Sequence, residues 1–280
     1  MFGTIDFLQQ TIDIMPDWPD AYFRLGEAFM NIHRKDEAID AFHRYLDLDP
    51  KDTLGAIIKL SLLGASPQPD TLPQAYIAGL FDHYAPRFEQ SLLGSLEYRV
   101  PQIIRDMLGK FRPLTEPREI ILDLGCGTGL GGEAVASRAL WIEGVDLSKE
   151  MLKSAELKGF YHDLAQGDIV NYLTTRKQSF DTIIAADVLT YIGDLTHVIH
   201  SIPPRLNSDG IFIFSVQKTD DPVEYCLSED HRYCHSYEYI NQLFEKSELT
   251  IVNHIETSLR MDHGYDVIGY VIMAKKKKHS

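Results

Sequence analysis

The chain has 280 residues, 44% apolar and 24% charged, enough for two domains or one large domain with an appendage. Its net charge of −14 is shared, with 11 acids against 6 bases in residues 1–66, so no part offers a broad surface to nucleic acid or an anionic membrane. Three cysteines without zinc-like spacing exclude a disulfide framework; with no leader-like start and no apolar run of about 18 residues, a cytoplasmic, membrane-free protein is expected.

Residues 19–52 read as a helical hairpin. Tyr22, Leu25, Gly26 and Phe29 share a face of one helix; Ala38, Phe42 and Tyr45 share a face of the next, which Pro50 ends. The pattern resembles a tetratricopeptide repeat, whose period is about 34 residues. Pro16 precedes Pro50 by one period, Phe7–Met15 reads as the second helix of a preceding repeat, and 53–64 as the first of a following one. Tyr45 departs from that pattern, which favours a small residue there. The repeat segment is therefore set at 1–66.

The breaker-rich stretch Gly64–Pro73 supplies a linker, 67–73. Helical segments near 74–82, 86–94 and 97–110 precede a loop at 112–117. From 118 the pattern alternates. Strands at 119–124, 140–145, 160–167, 180–186 and 210–217 are separated by helices at 130–138, 148–158, 169–175 and 195–205. Such apolar strands suit a parallel sheet covered on both faces. A helix at 236–247 then leads to strands 249–259 and 265–274, joined at Met261–Gly264 as a hairpin. The expected fold is α/β: a Rossmann-like doubly wound sheet, mostly parallel with an antiparallel C-terminal hairpin, after an all-α tetratricopeptide-like segment. Domain 74–280 divides into a cofactor-binding core (118–217), a substrate-side insertion (218–235) and a terminal helix and hairpin (236–280). The basic run Lys275–Lys278 reads as the solvated end of the last strand.

The sharpest motif is Ile120-Ile-Leu-Asp-Leu-Gly-Cys-Gly-Thr-Gly129. A strand ends in Asp123, and Gly125, Gly127 and Gly129 let the backbone turn and approach a ligand. Amides at the start of the following helix suit a carboxylate, and Asp123 suits an ammonium group, so a ligand bearing both on one carbon fits. Asp146, ending the second strand, is placed to accept from two ribose hydroxyls. Asp168 and Ile169 follow the third strand, where a carboxylate meets an adenine amino group and an apolar side chain covers the ring. Asp187 and Tyr191 follow the fourth. Gly127–Gly132 also satisfies the G-x-G-x-x-G dinucleotide pattern, but a pyrophosphate beside Asp123 would be repelled.

These residues carry a resemblance. Residues 74–280 are similar to class I S-adenosylmethionine-dependent methyltransferases. With Phe81–Glu89, Tyr98–Pro101 and Arg232–Ser236, nearly the whole chain resembles a group of those enzymes bearing tetratricopeptide repeats. The resemblance implies a cofactor, S-adenosyl-L-methionine, held by Asp123, Gly125, Cys126, Gly127, Thr128, Gly129, Asp146, Leu147, Met151, Asp168, Ile169, Asp187, Val188 and Leu189. It nominates Tyr84 as a cap over the cofactor. Cys126 reads as a small turn residue, not a nucleophile.

Methyl transfer asks the protein mainly to orient the acceptor. Tyr84, Arg87, Arg99, Tyr191, Arg232, His235 and Arg260 are the candidates. Arg232 or Arg260 is expected to fix an anionic group, and His235 or Tyr191 to orient the acceptor; Arg232 pairing with nearby acids and His235 capping the next helix are the structural alternatives. His231 and His235 lack a third ligand, so no metal is expected. The acceptor is expected to be a small molecule or carrier-bound carboxylate, with a protein recruited through the repeats, or self-association there, as the alternative.

Overall fold

The computed structural model describes residues 2–113, 116–228 and 230–277. Leu114 and Thr115 of the 112–117 loop, Glu229 of the insertion and Lys278 of the basic tail lie outside them. The chain forms two compact units, Met1–Gly79 and Leu80–Ser280. The division falls inside one helix, after the breaker-rich stretch.

The first unit is helical: α1 (Phe2–Ile14), α2 (Pro19–Asn31), α3 (Lys35–Leu48) and α4 (Ala56–Leu62). Pro19 opens α2, where its missing N–H costs nothing. At Gly26 a side chain would meet Phe42 Cε1 at 2.6 Å, so glycine permits the α2–α3 approach. Phe23 packs edge-on against Phe42 and Tyr45, at 5.5 and 5.3 Å. Tyr45 has a task a small residue lacks. Its hydroxyl donates to Asp49 Oδ2 at 2.7 Å and accepts from the Leu54 amide at 2.8 Å, tying α3 to the following turn.

Helix α5 (Gln74–Tyr84) leads into the second unit. The helix expected at 86–94 is instead a relay of short turns: Ala85–Arg87, α6 (Phe88–Gln90) and a π-turn at Ser91–Ser95. Then α7 (Val100–Phe111) precedes the sheet. Strands β1 (Glu119–Leu124), β2 (Ala139–Asp146), β3 (Asp163–Gln166), β4 (Phe180–Ala185) and β5 (Leu206–Lys218) run parallel in the order β3-β2-β1-β4-β5. Between them lie α8 (Leu130–Val135), α9 (Lys149–Leu157), α10 (Ile169–Thr175) and α11 (Thr196–Ser201). Two apolar clusters line the sheet. One holds Leu122, Leu124, Phe180, Phe212 and Phe214; the other holds Ile121, Ile184, Ile211 and Ile213. That alternation is the pleat of strands buried on both faces.

The insertion is a hairpin that sequence patterning did not reveal: β6 (Tyr225–Leu227) and β7 (Tyr233–His235). Helix α12 (Tyr237–Glu245) follows, then β8 (Leu249–Asp262) and β9 (Tyr265–Lys276). β9 pairs antiparallel with β5 at 211–217, and β8 pairs with β9. β5 residues 211–214 pair with β4 as well, and Gln217 pairs with both Cys234 and Gly269. β7 therefore sits on the same edge of β5 as β4, beyond the carboxyl end of β4. The sheet order reverses between β1 and β4, and ligands bind at such a switch point. No helix among the described residues is long and apolar enough to cross a membrane.

Candidate active site

Asp123 ends β1 and is 1% exposed. Its Oδ2 accepts from the Tyr161 hydroxyl at 2.6 Å. Burial pushes the carboxyl up to about 7, against the pull of Tyr161 and the Gly132 amide. Asp146 ends β2; its Oδ2 accepts from the Gly127 amide and its Oδ1 from the Ser148 amide, at 2.9 and 2.8 Å. Burial raises its carboxyl too, with Asp82 adding repulsion. Neither acid has an ion-pair partner among the described residues. A buried carboxylate and a half-buried one beside it, without a cation, are costly, and they suit a ligand that brings an ammonium group and hydroxyl donors.

The glycine turn is shaped for such a ligand. Gly125 has φ +63°, and a side chain there would come 2.5 Å from Val188 Cβ, so the β1 and β4 turns touch only because it is glycine. Gly127, at φ +54°, faces open space: a Cβ would meet one neighbour, Phe88 Cε1, at 3.8 Å. The buried Thr128 hydroxyl lacks a partner among the described residues. The turn's amides outweigh the following helix in importance, since α8 has six residues and little macrodipole. Asp146 also takes the Gly127 amide, tying the turn to the end of β2.

Cys126 is 5% exposed, and burial beside Asp123 and Asp146 lifts its thiol well above the ordinary range. It packs as a small side chain. Met151 and Leu189 are buried, and Leu147 and Val188 half-buried. Asp168 caps α10, accepting from the Asn171 amide at 2.9 Å through one oxygen, and Ile169 is buried beside it.

Phe81 meets Tyr191 edge-on at 5.4 Å and Phe88 at 5.9 Å, and Tyr84 meets Phe88 at 6.0 Å while 38% exposed. Asp82 Oδ1 accepts from the Ser148 hydroxyl and the Glu150 amide at 2.6 and 3.1 Å, and Glu89 pairs with Lys158 at 2.9 Å. The segment from Phe81 to Glu89 is thus anchored over the glycine turn.

Beyond β4, Asp187 adopts φ +58° with its amide donating to Ser215 Oγ at 2.8 Å. Its carboxylate meets Arg260 Nη1 at 3.2 Å, and Arg260 Nη2 lies 3.7 Å from Asp230. With its amide turned to face the guanidinium, Gln217 accepts from Nη2 at 2.6 Å. Arg260 is 1% exposed, enclosed and neutralised. Arg232 is different. Its side chain is 24% exposed, its Nε lies 3.4 Å from the Tyr191 hydroxyl, and Asp230 is 3.6 Å away. Burial opposes its charge, but Tyr191, Asp187 and Asp230 together hold it more firmly protonated than usual.

Residues 122–214 match the methyltransferase domain family, and residues 19–52 match the tetratricopeptide repeat. The ubiquinone biosynthesis O-methyltransferase of Nitrosomonas europaea is 32% identical over 103 residues, 34% of this chain and 42% of that protein. The chain spans less than half the length of the first curated relatives it matches. Among solved structures, the magnesium protoporphyrin IX methyltransferase of Synechocystis PCC 6803 with bound SAM superposes with a TM-score of 0.57 at 16% identity, over 76% of this chain and 99% of that one. The cyclase SpnF superposes at 0.58 and 16% identity, over 74% and 96%.

Residues 122–214 thus match a methyltransferase domain and residues 19–52 a tetratricopeptide repeat, and the second unit shares the fold of the solved methyltransferase. The sheet brings Asp123, Asp146, Asp168 and Asp187 to the carboxyl ends of its strands. Tyr191 and Arg232 meet there. His235 does not join them. It is fully buried at the end of β7, its Nε2 placed 3.0 Å from the main-chain oxygens of both Ile192 and Gly193. Burial drops it to about 4, so it is neutral, an Nε2–H donor that positions the post-β4 turn. The helix after it is capped by Ser236. Arg260 likewise positions Asp187 and has no free face. Tyr161 was missed, and Asp82, inside the Phe81–Glu89 segment, was given no role. Nothing in the run Gly159–His162 marks Tyr161; only the fold shows its hydroxyl reaching Asp123 across the bare surface of Gly132.

Proposed function

We propose that the chain is an S-adenosylmethionine-dependent methyltransferase whose acceptor is a small molecule or carrier-borne group bearing a negative charge. Asp123 carries this reading: a buried carboxylate at a glycine turn, raised by burial and without a cation. Asp123 receives the amino group, and the turn from Gly125 to Gly129 receives the carboxylate. Asp146 keeps lone pairs for ribose hydroxyls beyond its two amide bonds. The free oxygen of Asp168 and the side chain of Ile169 serve the adenine. Leu147, Met151, Val188 and Leu189 wall the site, with Tyr84 and Phe88 above it. The bound cofactor supplies a methyl group already activated on its sulfonium.

Arg232 is a half-buried cation on the acceptor side, so it fixes the anionic group while Tyr191 orients the acceptor atom. His235 and Arg260 hold these two in place. Titration calorimetry with S-adenosylhomocysteine and with NADH tests the cofactor assignment: heat with the first and none with the second is expected, and the reverse overturns it. Transfer of labelled methyl to a panel of small carboxylates and phenols tests the acceptor class.

A second reading has its own observation. Phe7, Ile14, Met15 and Trp18 are 68%, 79%, 48% and 43% exposed along and just beyond α1, which suits recruitment of a protein acceptor. Replacing Phe7 and Ile14 by serine is then expected to abolish methylation of a captured protein without changing S-adenosylhomocysteine affinity. Methylation that survives the change excludes recruitment through this face.

A further inference from the structure

The hairpin β6–β7 pairs in the register Tyr225↔His235, Cys226↔Cys234 and Leu227↔Tyr233. The Ser236 amide donates to Glu224 O at 3.0 Å, and the Ser228 amide to Arg232 O at 2.9 Å. Hydrogen-bonded pairs recur at every second position of an antiparallel ladder, so Cys226 and Cys234 form such a pair, with Cα atoms about 5.5 Å apart. A disulfide spans Cα separations of about 4.4–6.8 Å. Side chains opposite one another leave the same face of the sheet. Both sulfurs also turn toward one stretch of chain. Cys226 Sγ lies 3.6 Å from Thr219 Oγ1, and Cys234 Sγ lies 3.5 Å from the Gln217 amide. Both cysteines are free and half-buried.

We propose that Cys226 and Cys234 are a reversible dithiol–disulfide pair, a covalent clamp across the hairpin that overhangs the acceptor side. The oxidant is a low-molecular-weight disulfide such as oxidised glutathione. The Cys226 thiol loses its proton to solvent and attacks one glutathione sulfur, expelling one glutathione thiolate. Cys234 then loses its proton and attacks the Cys226 sulfur of the mixed disulfide, expelling the second. Two cysteine thiols become one disulfide, and one oxidised glutathione becomes two thiols.

Burial, helped by Cys226 and Asp230, pushes the Cys234 thiol up to about 11, which makes it the slower nucleophile and the resolving sulfur. Cys126 stays out of the exchange, enclosed in the glycine turn. The rung lies two residues from Arg232 and next to His235, so closing it stiffens the support of both. The proposal rests on the register of the hairpin and holds whether or not the chain transfers methyl groups.

The test is incubation of the full chain with oxidised glutathione, followed by intact mass and non-reducing peptide mapping. The expected product is a monomer lighter by two hydrogen atoms, with Cys226 linked to Cys234, restored by dithiothreitol, and with slower hydrogen exchange over 225–235. A lasting glutathione adduct on the wild type, a link to Cys126, a disulfide-linked dimer or an unchanged mass overturns it. Cys234→Ser is expected to trap glutathione on Cys226, and Cys226→Ser to lose the closed form. If either variant does not fold, the wild-type peptide map decides alone.

Discussion

Below neutral pH, S-adenosylhomocysteine should lose affinity because Asp123 must shed a proton to receive the ligand's ammonium group. Burial lifts this carboxyl from 3.8 to about 7 in the free protein. Above that value the carboxylate is ready. Below it, each pH unit weakens binding by up to about tenfold, or about 1.4 kcal/mol. Calorimetry should therefore show binding about tenfold weaker near about pH 6 than near about pH 8. Asp123→Asn should flatten that profile and weaken binding on the order of 100-fold at the higher pH, the usual cost of truncating a buried charged pair.

Stability follows with a defined sign. The folded-state value lies above the unfolded one, so the free protein keeps this contribution below about pH 4 and loses it as pH rises to about 7. Melting temperatures of wild type minus Asp123→Asn should fall across that window. A pH-independent affinity in the wild type would refute the reasoning.

Tyr161→Phe should move the midpoint of the affinity profile upward, because the hydroxyl that steadies the Asp123 carboxylate is gone; the same titrations read it. Gly125→Ala forces a side chain against Val188 at a left-handed φ and should cost about 3 kcal/mol, lowering Tm by roughly 5–10 °C in a thermal melt. Arg260→Met strips Asp187 of its partner and should cost about 3–5 kcal/mol in denaturant unfolding. Arg232→Gln should leave S-adenosylhomocysteine affinity within about twofold while labelled-methyl turnover on an anionic acceptor falls by about 10–100-fold; an equal loss in both would place Arg232 on the cofactor instead.

The proposed cofactor side could be read from sequence because its signals are local. A strand end, three glycines and an acid lie within Asp123–Gly129, and Asp146 and Asp187 follow apolar strands of their own. The acceptor side could not, because its contacts join distant segments. Arg260 comes from β8, Asp187 follows β4 and Asp230 tips a hairpin of two three-residue strands, too short to show a period. His235 misled for the same reason: its place in the insertion after β5 suggested an acceptor-side imidazole, and only tertiary structure shows its Nε2 against two main-chain carbonyls. Tyr45 conflicted with the repeat pattern until its hydroxyl was seen bonding Asp49 and Leu54.

A crystal structure of the full chain grown with S-adenosylhomocysteine is the sharpest test of Asp123 as the ammonium site. The ligand's amino nitrogen is expected within hydrogen-bonding distance of Asp123, its carboxylate at the glycine turn and its ribose on Asp146. Ligand seated elsewhere, with the Asp123 carboxyl still facing only Tyr161 and Gly132, would contradict it.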